Sequence, residues 1–357
     1  MLGIVSPMDF LLGILTFYSI YLMLSISLNL EYGYAGIPNF GKVMFFAGGA
    51  FTIGAFVTRF VGHIIGLNLS NYYIRNVILA TEVDKYFSSH PHLAISIFLL
   101  TLMMSALIGA ILGYIASYPA IRLKADYLGI TLIASGEVLR IIAKNYKPLV
   151  CGSLGVAVPN PFVFIDMPLR GVVQCLVMLG IAIGCWYFVE ILTRSPFGRV
   201  LRAVREDELA TAAFGRDVVK IKMKALVIGS AISGLAGGLY AYYIGVVHPD
   251  DFAPLWTFTI WVMVIIGGMG NNFGSAIGAL AYTVVERLTM YYKDYIPLPF
   301  NVVYLGYIAF AIVLILMLMY RPAGLMPEKP IMTINFEAIR KRIYSRMAKK
   351  TSSNSHR

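Results

Sequence analysis

Between Asp9 and Glu31 the chain runs for 21 residues without a charged side chain. That length matches the ~20 predominantly apolar residues an α-helix needs to cross the hydrocarbon core of a bilayer. Apolar stretches recur at residues 43–58, 93–118, 127–146, 171–193, 223–247, 256–290 and 300–320. The 256–290 stretch is too long for one crossing and carries Gly267, Gly268, Gly270 and Gly274 in its middle. Two helices meeting at a tight break near Asn271 and Asn272 are therefore expected there. Only 13% of the 357 residues are charged, against roughly 25% in soluble domains, which leaves about half the charge a water-facing surface requires. A soluble protein is excluded, and the expected fold is an all-α polytopic membrane bundle of about 8–10 transmembrane segments, some broken at glycines.

The formal net charge of +11 is concentrated in two places. Residues 194–224 hold eight Lys/Arg against Glu206, Asp207, Glu208 and Asp217, and residues 321–357 hold nine against Glu328 and Glu337. Together they account for the entire excess. Short loops rich in Lys/Arg stay in the cytoplasm, so both segments are expected inside, one as a loop within a membrane domain of residues 1–320, the other as a basic tail from 321 to 357. Threading from that loop places the N-terminus, 59–92 and 145–169 outside, with Arg122 and Lys124 inside. The step at 31–42, where Glu31 and Lys42 flank GYAGIPNFG, is open between a true loop and a half-buried break. The basicity is read as topology and anionic-lipid contact; no soluble nucleic-acid recognition module is present.

Cys151, Cys175 and Cys185 form neither a CxxC pair nor a metal-ligand spacing and are expected to be packing residues. With Lys42 as the first basic residue there is no basic signal-peptide region, so the first apolar stretch is expected to remain as a span. The outer loop 59–92 shows no domain-sized hydrophobic pattern. Within it, His90-Pro91-His92 lacks a nearby third ligand, and no metal is expected.

Several motifs are decoys or are open between readings. Gly36-Ile37-Pro38-Asn39-Phe40-Gly41-Lys42-Val43 fits GxxxxGK, but Val43 stands where a P-loop needs a hydroxyl for Mg²⁺, and Pro38 removes an N–H from the phosphate cradle. No nucleotide or other cofactor is therefore expected on this chain. Glycine pairs four apart (109/113, 180/184, 234/238, 270/274, 274/278) suit close helix approach in lipid. Asn39-Phe40-Gly41 and Asn272-Phe273-Gly274 both follow Gly-rich breaks, which fits an internal repeat or chance alike. Glu137 and Arg140 share a helix face and can neutralise each other, as a structural pair or as part of a pathway. Glu286 and Arg287, near a helix end, are expected to snorkel, and Glu190 is expected at the interface beside Arg194. No Ser/His/Asp or Cys/His set stands in a catalytic context.

The most informative segment is RSPFGRVLRAVREDELATAAFGRDVVKIKMKALVIGSAISGLAGGLYA, residues 194–241. Arg202 to Phe214 is expected to form one short helix bearing Glu206, Asp207 and Glu208 beside Ala210, Ala212 and Ala213, and to stop at Gly215. Small alanines admit a partner surface closely while the charges orient it.

This segment resembles the cytoplasmic coupling loop of ABC-importer permeases, with Glu208-Leu209-Ala210-Thr211-Ala212-Ala213-Phe214-Gly215 where that family has an EAA-x₃-G pattern. More specifically the chain resembles LivM-type branched-chain amino acid permeases, through GYAGIPNFGKVMFFAGGAF at 33–51, LKADYLGITLIASGEVLR at 123–140, VMVIIGGMGNNFGSAIGA at 262–279 and YRPAGLMPEK at 320–329. Pro38, Asn39 and Lys42 depart from the family's usual sequence near GLLSLGHAAFFGIGAY, and the 59–92 loop is longer than typical. The resemblance implies a non-catalytic permease subunit pairing with a second related permease, seated on two cytoplasmic ATPases that use ATP and Mg²⁺, and receiving substrate from an extracytoplasmic binding protein. Under it, Glu206, Asp207, Glu208, Ala210, Ala212, Ala213 and Gly215 would dock the ATPase, while Asn39, Gly41, Asp126, Glu137, Arg140, Asn271 and Asn272 are pathway candidates. The alternatives are an ABC permease for a sugar, urea or short amide, an ion-coupled carrier, or a membrane scaffold.

Overall fold

The computed structural model describes residues 7–123, 125–292 and 303–328. Residues up to Pro327 form one compact unit, and Lys124 and the expected tail beyond residue 328 lie outside the described residues. The described part is almost entirely helical, with helices α1 (Pro7–Leu28), α2 (Lys42–Ile65), α3 (Tyr72–Ser89), α4 (Pro91–Arg122), α5 (Ala125–Asn145), α6 (Lys147–Val150), α7 (Leu169–Arg194), α8 (Pro196–Glu206), α9 (Glu208–Ala213), α10 (Val218–Ile244), α11 (Leu255–Gly267), α12 (Asn272–Tyr292) and α13 (Val303–Tyr320). Two short strands, β1 (Val156–Ala157) and β2 (Val246–Val247), pair antiparallel. Six of the described segments are long and apolar enough to cross a membrane, which makes the chain a multi-pass membrane protein.

The core is built on α10, which packs most extensively against α4 and α2 and also touches α1. Glycines set that packing. A Cβ on Gly109 would lie 2.9 Å from the Cα of Gly234, and one on Gly234 would meet the Ser105 carbonyl oxygen at 2.5 Å, so the two backbones touch with nothing between them, as small residues allow in lipid. Ser105 Oγ donates to the Gly234 carbonyl across the same contact (2.7 Å). The 274/278 pair closes α12 onto α11 at Gly267 in the same way. The 180/184 pair does not take part: a Cβ at either position would meet nothing within 4 Å among the described residues.

Both expected irregularities in the membrane part exist. α11 ends at Gly267 and α12 begins at Asn272. With 13 residues, α11 is about 20 Å long at 1.5 Å per residue, short of the ~30 Å hydrocarbon thickness. Its C-terminal carbonyls are satisfied from the other end of the chain: Leu325 N–H donates to Ile266 O (2.9 Å) and Met326 N–H to Gly267 O (3.0 Å). The other break follows α1, which widens into a π-helical turn over Asn29–Tyr34 before the chain reverses into α2. The segment between them is largely buried rather than a loop in water, as irregular backbone at membrane depth must be.

One expectation is refined and one corrected. The 59–92 segment, expected to show no domain-sized hydrophobic pattern, holds the 18-residue α3, which inserts Leu79, Val83 and Phe87 into the core while Asn76 Oδ1 accepts the Ala157 N–H (3.0 Å). Burial of one residue in three or four is enough to anchor a helix whose other faces are polar. The segment 202–214 is not one helix but two. Asp207 takes an extended conformation between α8 and α9 and its side chain accepts the Ala210 N–H (3.0 Å), the geometry of an N-cap. Gly215 ends α9 in the left-handed conformation (φ +77°), as expected.

Candidate functional site

The π-helical turn places Glu31 where no water reaches it. Its Oε2 lies 2.8 Å from Lys42 Nζ, with both side chains fully buried. Asn39 Nδ2 donates to the same oxygen (2.7 Å), Lys42 Nζ donates to Ser233 Oγ (3.2 Å), and Ser233 Oγ shares a hydrogen bond with Ser27 Oγ (2.9 Å). Gly229 makes room for the carboxylate, since any Cβ there would collide with Glu31 Oε1. Desolvating two charges is expensive and is offset only by close pairing with further hydrogen bonds, which Asn39 and Ser233 supply. Asn39 also turns the chain: its Oδ1 accepts the Gly41 N–H (2.9 Å). Its carbonyl accepts from Trp261 Nε1 (3.3 Å), and Phe40 stacks on that indole at 4.6 Å.

Asn29 joins this break to the second one. Its Oδ1 accepts the Gly270 N–H (2.9 Å) and its Nδ2 donates to Asn272 Oδ1 (2.9 Å). Asn272 Nδ2 in turn donates to Glu190 Oε2 (2.8 Å) and Thr193 Oγ1 (2.9 Å) at the end of α7, and its carbonyl accepts from Trp186 Nε1 (3.2 Å). From Asn29 in the π-helical turn a polar seam thus runs beside the Glu31–Lys42 pair, through the α11–α12 break, to the last turn of α7, immediately before α8. Glu190 also pairs with Arg194 (2.6 Å), so its expected interfacial place is only half its role.

The seam reaches α8 directly as well. The Arg205 guanidinium donates to the Gly33 carbonyl, inside the π-helical turn, and pairs with Glu206 (2.8 Å), while Arg202 stacks over Tyr34 at 5.0 Å. Beyond Asp207, α9 turns outward: Leu209 and Phe214 are 84% and 87% exposed, and Ala210, Ala212 and Ala213 are exposed beside them. Glu208 is held by Lys222, and Asp217 caps α10 through the Lys220 N–H (3.1 Å); that hydrogen bond holds its carboxyl below the usual range. The outcome is a short, capped helix that offers an apolar face to solvent.

Of the pathway candidates, Asn39, Gly41 and Asn272 lie in or beside this seam. Asn271 is half-buried and works locally, accepting the Phe273 N–H (3.0 Å) as a cap and donating to Pro327 O (3.1 Å). Asn271 shares with Asn39 the cap bond to the N–H two residues on, whereas Asn272 shares with it full burial and an Nδ2 bond to a glutamate carboxylate. Asp126 is exposed. Glu137 and Arg140 pair as expected (2.5 Å) but at the opposite end of the bundle, where Asp250 bridges Arg140 (2.6 Å) and Lys144 (2.9 Å). Glu31, Asn29, Ser233 and Arg205 were not singled out by sequence. The signal for Glu31 and Lys42 was present, two opposite charges flanking a Gly- and Pro-rich break in an apolar setting. Glu286 and Arg287 do not snorkel: they turn inward onto aromatic rings, with side chains 15% and 18% exposed. No cluster of His, Cys, Asp and Glu able to hold a metal occurs among the described residues.

Residues 10–319 match the family model for permease components of branched-chain amino acid transport systems. The chain is 38% identical over 331 residues to a probable branched-chain amino acid transport permease protein LivM of Methanocaldococcus jannaschii, covering 91% of this chain and 95% of the relative. It is 27% identical over 338 residues to the high-affinity LivM permease of Escherichia coli, covering 88% and 69%. It is also 25% identical over 292 residues to a probable LivH permease of M. jannaschii, covering 78% and 80%. No solved structure matches.

Proposed function

Because the chain belongs to the family of permease components of branched-chain amino acid transport systems, we propose that it forms, with a second related permease, the membrane pathway of an ATP-driven importer of branched-chain amino acids. α8 and α9 then face the cytoplasm with the basic tail, in line with the Lys/Arg bias of the loops. Residues 1–320 act as the membrane domain. Two ATPase subunits bind ATP and Mg²⁺ below it, and an extracytoplasmic binding protein delivers substrate above; this chain hydrolyses nothing.

The observation that carries the mechanism is the Arg205–Gly33 hydrogen bond. Leu209, Phe214 and the alanines of α9 present an apolar, small-residue face to an ATPase cleft, flanked by Glu206, Asp207 and Glu208 for orientation. When the ATPases close, α9 and α8 move together, and Arg205 carries that displacement to the π-helical turn. The turn is hydrogen-bonded through Asn29 to the α11–α12 break, so one movement bears on both interrupted helices. Packed interfaces of this kind switch between discrete arrangements instead of deforming smoothly.

The test is ATP-dependent uptake of labelled leucine, isoleucine or valine by vesicles carrying the chain with its partner subunits. Glu208→Arg, which also breaks the pair with Lys222 on α10, and Gly215→Trp at the end of α9 are expected to lower uptake at least tenfold with membrane insertion intact. Uptake of a different solute would move the substrate and keep the permease role. Solute flux without any ATPase would overturn both.

A further inference from the structure

At the end of α12 away from α8 and α9, Tyr21, Tyr240, Trp256 and Tyr282 surround a cavity of about 280 Å³ with Glu286 and Arg287 in its wall. That volume lies just below the ~300–1,000 Å³ of typical small-molecule sites, which suits a metabolite of a few heavy atoms. The rings pack on one another, Tyr21 against Tyr282 edge-on at 5.4 Å and against Trp256 at 5.6 Å.

The two charges are spaced unlike the other ion pairs among the described residues. Glu286 Oε2 and the Arg287 guanidinium are 3.7 Å apart, against 2.8 Å for Glu31–Lys42 and 2.5 Å for Glu137–Arg140. Tyr21 Oη donates to both Glu286 oxygens (2.9 and 3.0 Å), which fixes the carboxylate and leaves it further lone pairs. Arg287 rests on the Phe17 ring, and its Nε is buried without a hydrogen-bond partner among the described residues. A carboxylate and a guanidinium largely buried side by side and incompletely satisfied by each other point to a ligand that pairs with both.

We propose that this cavity binds a free α-amino acid with an apolar side chain, its ammonium at Glu286, its carboxylate at Arg287 and its side chain on the aromatic wall. The pairing follows from chemistry: Arg matches a carboxylate in planar, bidentate fashion, and an ammonium beside aromatic faces gains from both the carboxylate and the ring quadrupoles. A site built for both ends rejects molecules lacking either one, because the unmatched buried group is then left unpaired. The inference rests on the permease reading above. It adds that the chain itself holds substrate before the inner breaks are reached.

The test is equilibrium binding of tritiated leucine to the full transporter in nanodiscs of phosphatidylglycerol, which has no ammonium headgroup to compete, without ATP or binding protein. Saturable binding is expected, displaced by unlabelled leucine or valine but at least tenfold less well by isoamylamine or 4-methylpentanoate, each of which lacks one charged end. Glu286→Gln and Arg287→Gln are each expected to weaken binding at least tenfold. Equal displacement by the two analogues, or affinity within twofold of wild type in both variants, overturns the proposal. Should the charge variants fail to assemble, Thr259→Trp, which fills the cavity from its α11 side, decides: it is expected to abolish binding, and unchanged binding overturns the site. If wild type binds no leucine yet drives ATP-dependent leucine uptake, the cavity proposal falls alone; if neither occurs, the branched-chain substrate reading falls with it.

Discussion

Two charge clusters at opposite ends of the bundle show how the same residue types serve different purposes. Glu137, Arg140, Lys144 and Asp250 form a chain of short contacts, 2.5 to 2.9 Å, on partly exposed side chains. Glu31 and Lys42 form one contact of 2.8 Å on side chains with no exposure at all. Water screens the first cluster and can replace either partner, so its members contribute little individually. In the second no water is available, and the loss of one partner strands the other in an apolar interior. The near-identical distances say nothing about this difference; the environment decides it.

The sharpest way to break that contrast is to remove one partner of the buried pair. Lys42→Met is expected to cost about 3–5 kcal/mol, read as a large drop in the temperature at which the detergent-solubilised chain aggregates. The Glu31→Gln/Lys42→Met double variant should recover most of it, because a neutral pair leaves no stranded charge. If the double variant is as damaged as the single, the pair is not the source of the loss. A smaller effect is expected from Gly229→Ala, which drives a methyl into the Glu31 carboxylate and should cost about 1–3 kcal/mol by overpacking. Gly180→Ala, with open space around it, is the control, expected to be neutral or to stabilise by roughly 0.5–1 kcal/mol. Arg140→Ala is expected to cost only about 0.2–1 kcal/mol, the range of exposed pairs, and a loss as large as that of Lys42→Met would erase the distinction between the clusters.

Asp84 lies between these extremes of burial and shows its effect through pH. It is half-buried on α3 and accepts the Asn160 N–H (2.8 Å). Burial pushes its carboxyl up from 3.8 to about 6 in spite of that hydrogen bond and of Arg170 nearby. The folded state therefore holds this proton more tightly than the unfolded chain does. The stabilisation is fully present below about pH 4 and is lost as pH rises through about 6. Hydrogen exchange of α3 should accelerate over that window in wild type and lose the dependence in Asp84→Asn.

Much of this was legible in the sequence because the governing rules are local. The break at 268–271 is announced by Gly267, Gly268 and Gly270 within an apolar stretch too long for one helix, and the stop at Gly215 by a residue free to take positive φ. The Glu137–Arg140 pair follows from three-residue spacing on one helix. The division of α8 from α9 was equally local and was missed: Asp207, three residues before Ala210, is an N-cap signal set inside a charged run that reads as a single helix. α3 escaped because its buried residues are too sparse to register as a hydrophobic pattern until the body it packs on is known.

What the sequence determined by itself is the class of molecule, a multi-pass helical membrane protein, together with the position of its helix breaks and of its charged loop at 194–224. Those follow from apolar run length, glycine conformational freedom and the distribution of Lys and Arg, each acting over a few turns of chain. Only the tertiary structure decided which polar groups meet. Asn29 finds Gly270 and Asn272 more than 240 positions away, Arg205 finds the Gly33 carbonyl, and Glu286 turns to Tyr21 rather than to the interface. Inside a bilayer a polar side chain must be satisfied by whatever protein surface packs against it, and that surface is set by the glycine-mediated approach of distant helices, which no local pattern encodes.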